Sequence, residues 1–263
     1  MMKHICLILV LALVAILVPH LSPYDPDAID LDIMTLPPSP SHWLGTDQFG
    51  RDLLTRILFG ARISLVIGLV PTFLSMILGT TLGLISGFFR GLTEAVIMRL
   101  CDVVLAFPSI LLAMVVAYTL GPSLLTIFTA LVVVSWADTA RVVRAQVISL
   151  REKEFVEASR AVGVRSPVIM VRHILPNCLP ALTVMFTLGI PGAIMFEATL
   201  SFLGVGAQAP TPSWGLIITS GKQFLFSAPW IAIAPGVFIL IMVLAFNFMG
   251  DGLRDALDPH LKP

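Results

Sequence analysis

Charged side chains are scarce in this 263-residue sequence: 12% of residues carry charge and 57% are hydrophobic, whereas soluble domains carry roughly 25% charged residues. With a mean hydropathy of +0.97, the chain has too little polar surface to cover a soluble globule. Its 16 basic and 16 acidic residues balance, which excludes a nucleic-acid binder relying on excess positive charge. Cysteine is also sparse. Cys6, Cys101 and Cys178 lie in or beside apolar stretches, without a CxxC pair, so neither a disulfide framework nor a zinc site is indicated. No two of the five histidines fall within ten residues of each other, and Met98, Met114, Met185 and Met195 are spread over three apolar runs as packing residues would be. No metal site is expected. There is no HExxH, no GxSG, and Gly250-Asp251 lacks the preceding glycine of a GxGD protease, so nothing marks an intramembrane enzyme. What remains is a polytopic membrane protein.

A bilayer core takes about 20 apolar residues as helix, and six runs approach that length: Ile5 to Leu21, Ile63 to Phe88, Val103 to Leu120, Leu124 to Ala140, Cys178 to Val205 and Gln223 to Gly250. A cleaved signal peptide is the competing reading of the first run. No small-x-small cleavage site follows it, which favours a retained span. Six spans place both termini on one side. That side, with the loops after the second and fourth spans, holds Lys3, Arg90, Arg99, Arg141, Arg144, Arg151, Lys153, Arg160, Arg165, Arg172, Arg254 and Lys262, 12 of the 16 basic residues. The excess of positive charge makes it cytoplasmic.

Two segments are long enough to do more than connect spans. Residues 22–62 form an external loop, irregular at first and then amphipathic. Thr46 or Asp47 is expected to cap a helix along the outer interface, with Phe49, Leu53, Leu54, Ile57 and Leu58 on one face. Residues 141–177 form a cytoplasmic loop of seven basic residues (Arg141, Arg144, Arg151, Lys153, Arg160, Arg165 and Arg172) and three acids (Glu152, Glu154 and Glu157). It reads as a helix from Arg141 to Val162, a left-handed break at Gly163, and a second helix capped by Ser166, opened by Pro167 and stopped at Leu175-Pro176. The plain alternative is a connector that only sets topology.

Within the spans, Ser75, Gly79, Gly83 and Gly87 make a small-residue stripe suited to close helix packing. Pro71, Pro108 and Pro191 can kink their spans. Glu197 is the one acid well inside a span, and either lines a substrate path or is buried with a polar partner. Asp102 and Asp138 are expected to pair locally with Arg99 and Arg141, each three residues away.

The loop sequence "EASRAVG", followed after nine residues by "HILP", resembles the EAA loop of ABC importer permeases, Glu-Ala-Ala-x3-Gly-x9-Ile-x-Leu-Pro. Glu157, Ala158, Gly163, Leu175 and Pro176 match; Ser159 replaces the second alanine and His173 the isoleucine. "HWLGTDQFGRDLLTRILFGARISL", "ATLSFLGVGAQAPTPSWG" and "AFNFMGDGLRDALDPHLKP" resemble, in the same order, the second permease subunit of dipeptide, oligopeptide and nickel ABC importers. The resemblance implies an all-α membrane protein with the type I importer permease fold, six spans and cytoplasmic termini. It implies one permease domain over 1–263: a first span (1–21), the external loop (22–62), a five-helix core (63–250) containing the 141–177 loop, and a cytoplasmic tail (251–263). The implied partners are a homologous permease, two cytoplasmic ATPases docking on the EAA loop of Glu157, Ala158, Ser159, Gly163, Leu175 and Pro176, and an external binding protein. The chain has no G-x-x-x-x-G-K-[ST] stretch, so ATP and Mg are expected on the ATPases, no cofactor here, and no catalysis in this chain. The expected location is a bacterial or archaeal cytoplasmic membrane. Di- or oligopeptides are the expected cargo; nickel or a metal chelate is the alternative, since the short N-terminus and "SPYDPDAIDL" look somewhat like the nickel branch. An autonomous carrier or channel is the distant alternative, because a single intramembrane acid offers little for ion coupling.

Overall fold

The computed structural model describes residues 22–121, 123–206, 208 and 212–257. The expected first span, at 1–21, and the tail beyond Leu257 lie outside them. Among the described residues the chain is helical, without strands. Four helices are long and apolar enough to cross a membrane, and a bent pair makes up to five.

The first long helix, α1, spans Leu53–Phe89 and absorbs the expected interfacial helix into the second span. The cap is Asp52, whose carboxylate accepts from the Thr55 N–H at 2.8 Å. Thr46 and Asp47 do not cap it. Asp47 instead closes a turn, accepting from the Phe49 and Arg51 N–H groups at 2.8 and 3.1 Å. Leu53 and Ile57 are fully buried in a cluster with Trp214, Met242 and Phe246, so this segment packs into protein.

Helix α2 (Gly91–Ala106) and helix α3 (Ser109–Leu120) meet at 92° where one span was expected. Proline disfavours a helical residue before it and lacks a donor; accordingly Phe107, before Pro108, is extended at φ −91°, ψ 142°. Helix α4 (Leu124–Leu150) starts under the Ser123 hydroxyl, which accepts from the Thr126 N–H at 3.0 Å, and runs ten residues past its expected end. The stripe on α1 seats it: a Cβ on Gly79 would stand 2.5 Å from the Trp136 carbonyl, one on Gly83 2.7 Å from that of Ala140, and one on Gly87 2.7 Å from Val147. Only glycine permits that separation.

Helix α5 (Glu154–Ala161) follows a short turn, and helix α6 (Ser166–Ile169) runs without a stop through a π-helical turn, Met170–Ile174, into helix α7 (Leu175–Phe202). The expected stop at Leu175-Pro176 is absent because the π turn pairs the Leu175 N–H with the Met170 carbonyl. That widened turn accommodates the proline, which would clash in a regular helix. Ser166 is the first helical residue; Arg165 occupies the cap. The chain then turns back through a short helix, α8 (Trp214–Gly221), into helix α9 (Trp230–Leu257). Residues Gln223 to Pro229 lie outside α9, whose start follows Pro229.

Candidate functional site

Two regions of the bundle carry groups that packing alone does not require. The first is the elbow formed by α5 and α6. Helix α5 ends in a complete Schellman cap: the Gly163 N–H donates to the Arg160 carbonyl at 2.9 Å, and the Val164 N–H to that of Ser159 at 3.0 Å. Gly163 takes φ +80° and an added Cβ there meets nothing within 4 Å, so the glycine is needed for its backbone angle alone. Val164 then packs on a core cluster that includes Leu84 and Phe88 of α1, Val143 and Val147 of α4, Val156 of α5, Ile174 of the π turn, and Cys178 and Leu182 of α7. Val156 is fully buried.

Polar contacts fasten the same junction. The Arg151 guanidinium donates to the Phe88 carbonyl at 2.8 Å, at the negative end of α1. The Arg160 guanidinium lies over the Phe88 ring, 5.1 Å from its centre, and Arg90 pairs with Glu152 at 3.5 Å. The elbow is therefore rigidly joined to three long helices. Of the residues read from the sequence, Glu157 and Ala158 are exposed on its outer surface; Ser159 is half-buried and donates to the Phe155 carbonyl at 2.7 Å. Leu175 packs against the core cluster and Pro176 is exposed in the first turn of α7. Glu154, Phe155 and Val162 are exposed on the same elbow, so its surface offers acids together with apolar side chains. Val156, Arg151 and Arg160, which fix the elbow, were not singled out from the sequence; their role depends on the end of α1, some seventy residues earlier.

The second region is a cleft of about 520 Å³ between α1, α4 and α7, lined also by Val104, Leu105, Phe107 and Ser109 at the bend between α2 and α3. Asp138, in the middle of α4, lines it. The expected pairing of Asp138 with Arg141 does not form. Arg141 reaches across to α2 and donates to Asp102 at 2.6 Å, so Asp102 is not paired with Arg99 either. Local spacing misled here because a neighbouring helix offered a better-placed carboxylate.

Glu197 does not line this cleft. Its side chain is fully buried, accepting from the Ser201 hydroxyl at 2.6 Å and the Ser213 hydroxyl at 3.0 Å. Ser213 in turn caps α8, accepting from the Leu216 N–H. A Cβ on Gly215 would stand 2.6 Å from the Ala198 Cα and 3.1 Å from Glu197 Oε2, so α8 lies against the carboxylate. The acid ties α8 to α7. Of the two readings of Glu197, these surroundings are those of an acid buried with polar partners.

A family model described as "Binding-protein-dependent transport system inner membrane component" matches residues 79–263. The chain is 50% identical over 225 residues to the dipeptide transport system permease protein DppC of Alkalihalophilus pseudofirmus, covering 86% of this chain and 74% of that protein. It is 44% identical to the DppC of Haemophilus influenzae, covering 97% and 88%, and 41% identical to the oligopeptide transport system permease protein OppC of Bacillus subtilis, covering 99% and 86%. Among solved structures, a chain of the MetNI methionine ABC transporter superposes with a TM-score of 0.63 at 22% identity, covering 78% of this chain and 96% of that one; the fold is shared.

Proposed function

This chain belongs to the family of binding-protein-dependent transport system inner membrane components, and from that premise we propose that it is one half of the translocation pathway of an ATP-driven peptide importer. The names of its dipeptide and oligopeptide relatives support that cargo. A homologous permease would complete the pathway, an external binding protein would deliver peptide, and two ATPases on the cytoplasmic side would supply energy. In this reading the undescribed 1–21 run adds a sixth span, the termini are cytoplasmic, and residues 1–263 form one permease domain in a bacterial or archaeal cytoplasmic membrane.

The observation that carries the proposal is the elbow. A connector that only set topology would not need a buried valine, a capped break and an arginine bonded to the end of α1. Such an element transmits force: an ATPase surface that engages Glu157 and the exposed face of α5 moves α1, α4 and α7 together. A basic patch on the ATPase would meet Glu157 through charge-assisted hydrogen bonds, while Ala158 and Ser159 allow close approach. Glu157→Lys leaves the fastening contacts intact and reverses the presented charge. In the reconstituted complex it should reduce peptide-stimulated ATP hydrolysis and ATPase co-purification by about tenfold or more, the scale of a lost charge-assisted contact. Unchanged stimulation and association would reduce the elbow to a connector.

A further inference from the structure

We propose that Asp138 is the counter-charge that receives the amino-terminal ammonium of a peptide crossing this half of the pathway, an inference that rests on the peptide-import reading above. Asp138 is exposed in the cleft. Among the described residues no basic group lies within ion-pair distance of it, and the nearest arginine in sequence, Arg141, is engaged by Asp102 at 2.6 Å. Asp138 stands near the cytoplasmic end of the apolar first half of α4, before Arg141 and Arg144, and an acid facing a cleft within a span is costly without a cation or water to meet it; such residues mark solute paths.

The rest of the cleft fits a small polar solute. Ser75, Ser135 and Thr139 contribute hydroxyls beside the acid, and Met185 and Phe186 supply an apolar wall. No basic side chain lines it. Its volume falls within the range of small-ligand sites, roughly 300–1,000 Å³. The bend at Phe107-Pro108 adds a second, independent sign. The last carbonyls of α2 and the first N–H groups of α3 lack intrahelical partners, and broken helix at membrane depth persists only in protein or along a wet cavity. Phe107 and Ser109 both line the cleft. A metal ion is a poorer occupant: one carboxylate among hydroxyls is not a nickel ligand set, and no metal-binding group of three ligands occurs among the described residues.

The test uses the complete transporter in proteoliposomes with its binding protein, and dialanine as the probe. Asp138→Asn should lower dialanine uptake about tenfold or more, as loss of a charge-assisted pair predicts, and Asp138→Glu should recover most of it. ATP hydrolysis stimulated by the loaded binding protein, and co-purification of the second permease, should stay at wild-type levels in both variants. Uptake by Asp138→Asn at the wild-type rate overturns the assignment while leaving the importer intact. Loss of the second permease overturns it in favour of an ion pair between subunits, and a parallel fall in hydrolysis overturns it in favour of a coupling role. Nickel uptake lost with dialanine uptake unchanged would assign the acid to a metal. A wild-type complex that takes up no dialanine would overturn the peptide reading and this inference together.

Discussion

Single residues in this chain are constrained for different physical reasons, and Gly163 separates those reasons cleanly. Its surroundings are open, so a side chain there clashes with nothing; only the φ of +80° is at stake. Gly163→Val should therefore cost about 1–3 kcal/mol of local strain and shift the elbow angle, whereas Gly163→Asn, which tolerates left-handed backbone, should cost much less. Peptide-stimulated ATP hydrolysis should fall with valine and largely persist with asparagine. Equal activity in both variants would show that the angle does not matter. This residue was legible in the sequence because a helix-ending glycine leaves a local signature. Asp138 was not, and Glu197 only as one of two alternatives, since an acid's role depends on which helices surround it. Glu197 found two serines, one of them sixteen residues away, and Asp138 lost its expected arginine to another helix.

At the scale of elements, α1 and α4 form a zipper rather than a pair of adjustable rods. The three glycines bring backbone against backbone, leaving no room for even one methyl group. Gly83→Leu should force the helices apart, costing at least the 1–3 kcal/mol typical of overpacking. The expected result is a marked loss of folded protein in detergent, measured as a lower unfolding temperature and poor recovery; a stable, monodisperse variant would contradict the packing. The stripe was readable because its period lies within one helix. The break at Pro108 was readable only as a kink, because the 92° angle depends on what the two pieces pack against. Helix α8 was missed: eight residues with a serine cap carry too weak a pattern to stand out beside the long apolar runs. The continuity of α1 was missed for the opposite reason, since its polar first turns look like a separate surface helix until Leu53 and Ile57 are seen buried.

At the scale of the whole molecule, the uneven distribution of basic residues predicts which end of the bundle faces the cytoplasm. Cysteines introduced at Ser41 and Arg165, both exposed, in a background lacking the native thiols, should react with an impermeant reagent from opposite sides. In sealed right-side-out vesicles only Ser41→Cys should label; labelling of Arg165→Cys would invert the orientation. The same layout puts Asp138 of the cleft on α4, whose C-terminal end adjoins the elbow. From Asp138 to Leu150 is about 18 Å of α4 at 1.5 Å per residue, with α1 locked alongside. A tilt of about 10° pivoting at the elbow end would sweep the carboxylate sideways by about 3 Å, roughly the length of a hydrogen bond. In the proposed mechanism a small tilt of α4 about its elbow end would therefore move Asp138 by the distance over which an ammonium is gripped or let go.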